Sequence, residues 1–253
     1  NAIRDNTALV AIMHANNEIG TIQPIAEIGS ICRNSRATFL VDASQSYGKL
    51  PIDVETMQID FLAATAHKIY GPKGIGLLYV KGKSPKLKMT TQITGGGHEY
   101  GLRSGTLPVH QIVGFGKAIE ICNTMENEKM AILQKMLIDG IVTAHPDVQL
   151  NGSQEYRLGN NINISFPGLD AETLIIKMKG IACSTGSACS TTNLEPSHVL
   201  KAIALNNEIA HSSIRFSLGR FNTKEEILTA IEEIGCILSE MKDKSPRNLL
   251  ILN

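Results

Sequence analysis

Short, continuous apolar runs alternate with helical patterns along the first part of this chain, and that alternation limits its fold most. Ala8-Leu-Val-Ala-Ile-Met13 reads as a buried strand and Phe39-Leu-Val41 as a second; Phe61-Leu62 opens a third, and Gly76-Leu-Leu-Tyr-Val80 is a fourth. Between the first two, Ile25 to Cys32 follows Pro24 as a helix, with Ile25, Ile28 and Cys32 on one face. Continuous apolar strands separated by helices predict a parallel or mixed sheet covered on both faces. Such a sheet places reactive groups at strand ends and in the loops beyond them. Asn17, Asp42 and Lys68 all fall there.

Gly95 to Gly105 is a loop with five glycines, and an interrupted helical pattern follows from about Pro108 to Val142. It leads to a second unit. There Asn161-Ile-Asn-Ile-Ser-Phe166 alternates like a half-buried strand, Ala171 to Lys179 is helical, and Cys183 to Leu194 is a polar loop. Pro196 to Leu205 is helical with Pro in its first turn, and Ser213 to Ser217 is another strand. The last helix opens on a capping box, Thr223 with Glu226, and carries the apolar stripe Ile227, Ile231, Ile234, Leu238, Met241. The expected organisation is α/β: a large domain over residues 1–125 and a small α+β domain over 126–253.

With 24 basic and 24 acidic side chains in 253 residues, charge gives no reason to expect nucleic acid or a membrane surface as partner. No apolar run approaches the roughly 20 residues of a spanning helix. Cys32, Cys122, Cys183, Cys189 and Cys236 are scattered, with no Cys-x-x-Cys pair, so neither a disulfide framework nor a metal site is expected, and a reducing compartment is. Residue 1 is Asn rather than Met, so the natural start is expected elsewhere.

The chemistry concentrates in two runs. Lys68 lies in His67-Lys68-Ile-Tyr-Gly71-Pro-Lys-Gly74, and Asp42 closes an apolar run with Gln45 three residues on. Pyridoxal phosphate needs such a pair: a lysine amine to hold its aldehyde as a Schiff base, and an acid to keep its ring nitrogen protonated. Each residue alone has a plainer reading, a surface lysine and a strand-end cap.

The motifs around them also carry a resemblance. Asn16-Asn17-Glu18-Ile-Gly20, Asp42-Ala-Ser-Gln45, His67-Lys68, Gly95-Gly-Gly-His98-Glu99, Arg103-Ser-Gly-Thr106, Ser187-Ala-Cys189 and Ser212-Ser-Ile-Arg215-Phe-Ser-Leu-Gly219-Arg220 follow in order. At that spacing, from about residue 8 to about 245, the chain resembles the cysteine desulfurases of the iron–sulfur assembly (IscS/NifS) type, within the class-V aminotransferases. The resemblance implies a fold-type I pyridoxal-phosphate transferase with a mixed or parallel sheet and a small C-terminal domain. It implies that the family's N-terminal third has no counterpart in this sequence. In place of the usual Ser-Gly before His-Lys stands Thr65-Ala66, which keeps the hydroxyl.

By the resemblance, Asp42 serves the ring nitrogen, Gln45 the phenolic oxygen, Thr65 the phosphate, and Thr106 the phosphate of a second subunit in a homodimer. Asn17 approaches from a neighbouring strand end, and His67 is a pocket residue and proton carrier. Lys68 is expected to be buried, with its pKa lowered. Cys189, on its Ser-rich loop, would take sulfur from L-cysteine as a persulfide; Cys183 is the rival. Arg215, in an apolar strand, needs an anion, either the substrate carboxylate or a structural salt bridge. Cys32, Cys122 and Cys236 are expected in the core. The implied activity is conversion of L-cysteine to L-alanine, supplying sulfur to an iron–sulfur scaffold and to tRNA thiolation. The implied place is the bacterial cytoplasm, or the mitochondrion. Selenocysteine lyase, β-lyase, aminotransferase and a truncated non-catalytic homologue are the alternatives.

Overall fold

A computed structural model of the chain describes residues 2–82, 89–122, 124–185 and 196–243. Contacts divide it into two units. The first takes residues 1–14 and 23–123; the second takes 15–22 and 124–253. The expected boundary at 125 did not anticipate that residues 15–22 belong with the C-terminal part.

In the first unit β1 (Leu9–Met13), β2 (Thr38–Asp42), β3 (Phe61–Thr65) and β4 (Gly76–Val80) form one sheet in that order. β1, β2 and β3 run parallel, and β4 is antiparallel to β3. Side chains alternate across the pleat. One face, with Phe39, Val41, Leu62 and Ala64, is buried together with Ile25 and Cys32 of α1 (Ile25–Arg33). Gly29 of α1 lies so close to Met57 that a Cβ would sit 2.1 Å from that carbonyl oxygen; only glycine permits this approach. The other face leaves Leu9, Met13 and Leu78 exposed among the described residues, where two-sided cover was expected. The unit closes where the chain departs and returns, Gln23 N–H donating to His14 O at 2.8 Å. Its last helix, α2 (Val109–Ile121), buries Phe115 and Ala118. Cys122, with extended backbone, ends it and interrupts the long helical pattern.

The second unit opens with α3 (Thr124–Ala144). Its sheet has the order β5 (Gln149–Leu150), β6 (Asn161–Ser165), β8 (Ser213–Ser217), β7 (Ser184–Thr185). α4 (Ala171–Lys177), α5 (His198–Ala202), α6 (Asn207–His211) and α7 (Lys224–Asp243) complete it among the described residues. One sheet face is apolar: Ile162, Ile164, Ile214 and Phe216 pack with Leu133, Leu137 and Ile141 of α3 and with Ile227, Ile234 and Leu238 of α7. The capping box forms, with Thr223 N–H donating to Glu226 Oε2 and Glu226 N–H to Thr223 Oγ1, at 3.1 and 3.2 Å. Ser197 caps α5, one residue past the expected proline.

The other sheet face is polar and yet buried. Asn161, Asn163 and Ser165 of β6 are each enclosed, where alternation had suggested a solvent face. Their hydrogen bonds go inward. Asn151 Nδ2 donates to Asn163 Oδ1 and Ser165 Oγ, both at 2.7 Å, and Ser165 and Ser213 hydroxyls lie 2.8 Å apart. Arg157, only 9% exposed, donates from its guanidinium to the carbonyls of Asn151, Ser153 and Asn161.

Candidate active site

The first unit gathers polar groups at the C-terminal ends of β2 and β3. Asp42 ends β2 and pairs with Ala63, two residues before Thr65 ends β3, so Asp42 and Thr65 share one sheet face. A tight turn follows Asp42: its Oδ1 accepts Ser44 N–H at 2.8 Å, and Ser46 and Tyr47 N–H both donate to Ala43 O. That turn presents Gln45. After β3, the short 3-10 turn Ala66–Ile69 buries Ala66 and Ile69 and leaves His67 and Lys68 exposed. Tyr70 closes it with φ of +67°. Thr65 Oγ1 lies 2.8 Å from His67 Nδ1, which couples the hydroxyl to the imidazole.

Lys68 is therefore exposed, contrary to the expected burial. The reason is local: in this one-turn helix the two apolar residues, Ala66 and Ile69, take the inward positions. Thr106 is exposed on the loop before α2. In that loop Glu99 and Tyr100 take left-handed backbone, φ +51° and +56°, and Ser104 Oγ accepts Gly97 N–H at 3.1 Å.

Asn17 and Arg215 belong to the second unit. Asn17 is not a strand-end residue of the first sheet, as expected, because β6 and β8 hold its main chain. Asn161 Nδ2 and Arg215 Nη1 both donate to Asn17 O, at 3.0 and 3.1 Å. Arg215 Nε is buried without a partner among the described residues. Cys189 lies outside the described residues. Cys183, the rival, is half-buried, and burial pushes its thiol up. Cys32 is buried, with its thiol raised by burial and then by Asp60. Cys236 is exposed on α7, not in the core as expected.

The first group fits a pyridoxal-phosphate site: an amine, a carboxylate, an amide and a hydroxyl at the C-terminal ends of the two inner strands, beside a sheet face left partly exposed among the described residues. The second offers a cation with an unfilled donor, suited to a carboxylate.

The sequence profile described as Aminotransferase class-V matches residues 1–229. The chain belongs to this family. Cysteine desulfurase IscS of Photobacterium profundum is 51% identical over 248 residues, covering 97% of this chain and 61% of that protein. The solved structure of a NifS-like protein from Rickettsia africae ESF-5 is similar at a TM-score of 0.81 and 35% identity, over 92% of this chain and 62% of that one. SspA in complex with cysteine gives 0.74 and 39%, over 88% and 62%. This class-V chain thus spans about three fifths of the length of the relatives it matches. Its fold is the α/β fold of the NifS-like members.

One residue of this class-V chain carries no signal in the sequence. Lys49 donates from Nζ to Gln45 O at 3.0 Å, across the turn that carries Gln45. Burial first, and then the Lys68 charge, lower it from 10.5 to about 8, with Cys122 pulling the other way. Nothing in Tyr-Gly-Lys-Leu signals this; the tertiary packing supplies it. Between pH 8 and 10.5 the unfolded chain keeps a proton that folded Lys49 has released, so this group makes stability rise with pH across that window. Below about pH 8 its burial penalty is fully present. Lys49→Met is expected to flatten that dependence. The check is urea unfolding from about pH 7 to 10.5: wild type should gain on the variant only above about pH 8, and a constant difference would refute the assignment.

Among the described residues no three His, Cys, Asp or Glu side chains group as metal ligands, and no helix is long and apolar enough to cross a membrane.

Proposed function

We propose that this chain carries the chemistry of a pyridoxal-phosphate-dependent cysteine desulfurase, which converts L-cysteine to L-alanine and retains the sulfur as a persulfide on Cys189. The observation that carries the reading is Arg215, a strand guanidinium held by the Asn17 carbonyl with its Nε buried and unfilled among the described residues. That geometry awaits a carboxylate, which an α-amino acid provides. The similarity to cysteine desulfurases, and to a protein solved with cysteine, supports the choice of amino acid.

Lys68, Asp42, Gln45, Thr65, His67, Asn17 and Thr106 would hold pyridoxal phosphate, which supplies an electron sink for charge developing at the substrate α-carbon. Arg215 anchors the substrate carboxylate. The Lys68 amine, exposed beside His67, would move a proton at the α-carbon. His67, with Nδ1 engaged by Thr65, keeps one ring nitrogen for proton exchange. The Cys189 thiolate attacks the substrate sulfur; the C–S bond breaks, an S–S bond forms, and the former Cβ takes a proton to become the alanine methyl. Thiol plus L-cysteine gives persulfide plus L-alanine, so the step needs no added oxidant.

A sulfur acceptor, such as an iron–sulfur scaffold protein, then takes the persulfide. A second copy of the chain is the other partner. Val109 and Val113, each 65% exposed, stand with Ile112 on one side of α2 and support such contact. The cytoplasm, whose reducing conditions suit free thiols, is the proposed compartment.

The test is intact-mass analysis after incubation with pyridoxal phosphate and borohydride, then alkylation after L-cysteine. The expected results are a reduced cofactor on Lys68, stoichiometric alanine, and one extra sulfur on Cys189. Cys236→Ser removes the exposed competing thiol. Cofactor capture without alanine or persulfide would overturn the desulfurase reading, and no capture would overturn the cofactor assignment.

A further inference from the structure

The polar face of the second sheet does more than fill space. Asn161, Asn163 and Ser165 on β6 stand opposite Ser217, Arg215 and Ser213 on β8. Residues 15–22 lie on the rungs nearest Arg215. Asn163 Nδ2 donates to Glu18 O at 3.2 Å, and Asn161 Nδ2 donates to the same Asn17 carbonyl as Arg215 Nη1. The segment is tightened from within, because Asn16 Oδ1 accepts Glu18 and Ile19 N–H at 2.8 and 3.0 Å. Gly20 turns it with φ of +71°, and a Cβ there would sit 2.9 Å from Asn161 Oδ1. Asn161 Oδ1 is itself buried without a partner among the described residues, so the side chain is held by its donor alone.

A single carbonyl has two lone pairs, and here both are taken by neighbouring strands. Arg215 fixes one end of its fork on that oxygen, and its Nε remains unfilled among the described residues. Where the fork rests depends on where the oxygen rests, and Asn161 is the other group that holds it. We propose that Asn161 is a positioning residue for carboxylate recognition: by sharing the Asn17 carbonyl with Arg215 it sets the guanidinium against the substrate carboxylate. The inference rests on the desulfurase reading for its substrate, and on side-chain geometry for everything else.

The closing experiment compares Asn161→Leu, Arg215→Lys and the double variant in the cofactor-loaded protein. Asn161→Leu should raise KM for L-cysteine about tenfold, with kcat changed less than about twofold and thermal unfolding little moved. In the Arg215→Lys background it should add almost nothing, because both act on one contact. Asn161→Asp, which keeps the shape but sets a carboxylate beside the guanidinium, should raise KM further. A second readout needs no turnover: phenylglyoxal labelling of Arg215, mapped by mass spectrometry, with sodium propionate as protectant. Propionate should protect the parent and fail to protect Asn161→Leu. Equal protection, or additive KM effects, would overturn the proposal. A parent that makes no alanine yet shows propionate protection lost in Asn161→Leu would sink the desulfurase reading and leave this inference standing.

Discussion

Lys68→Ala is expected to cut alanine formation from L-cysteine by at least about a thousandfold, with no measurable loss of stability. The two halves of that expectation have separate causes. On the proposed reading the amine would be the group that holds the cofactor and moves the proton, and the other side chains of the 66–69 turn offer no amine to replace it. The fold is indifferent, because Ala66 and Ile69 make the buried contacts of that turn while Lys68 is exposed. Lys68→Arg should fail as completely, since a guanidinium stays protonated and is no nucleophile at working pH. The measurements are steady-state alanine release and thermal unfolding. Residual turnover within about tenfold of the parent would transfer the role to another amine, with Lys49 the first to examine.

Arg157→Met is expected to destabilise the second unit by about 3 kcal/mol, among the largest effects of any single change here. Three carbonyls, of Asn151, Ser153 and Asn161, accept from one guanidinium. Methionine fills much of the volume and answers none of them. Burial pushes the guanidinium down to about 10, so it is still charged at neutral pH. Its charge is spread over a planar fork, which suits divergent carbonyls better than an ammonium does. Arg157→Lys should therefore recover only part of the loss. Urea unfolding at about pH 7 decides it: a change under about 1 kcal/mol would mean that water replaces the guanidinium without difficulty.

Much of the fold was legible because its signals are local. β1, β2, β3 and β4 sit on their apolar runs, α1 on its stripe, and α7 begins at its capping box. The positions of the candidate residues of the first unit, at the ends of β2 and β3, were legible for the same reason, since strand ends follow from strands. What escaped depends on partners distant in sequence. Asn161, Asn163 and Ser165 alternate with isoleucines as a solvent-facing strand would, yet they are buried, because residues 15–22 and Asn151 satisfy them. The same pairing moved Asn17 from the first unit to the second. Lys68 was expected to be buried on chemical grounds, but a single 3-10 turn has room for two inward residues and the apolar ones took both places. Cys236 could have been placed correctly: it lies off the stripe of Ile227, Ile231, Ile234, Leu238 and Met241, and it is exposed. The five-residue helix α6 carries no periodic signal, being too short for one.

The assignment of residues 15–22 to the second unit bears on the order in which the chain can mature. Synthesis delivers this segment long before β6 and β8, whose side chains lie 144 to 198 residues further on. Until they arrive, Asn16 can tighten its own turn, but the Asn17 and Glu18 carbonyls have only water. A ribosome-released piece ending before β8 could pair β1 to β4 with one another but could not pair β6 with β8. Such long loops close slowly. Refolding should accordingly show the first unit's protection ahead of the amides around Gly20, which would be the last to become slow-exchanging although they lie near the start of the sequence.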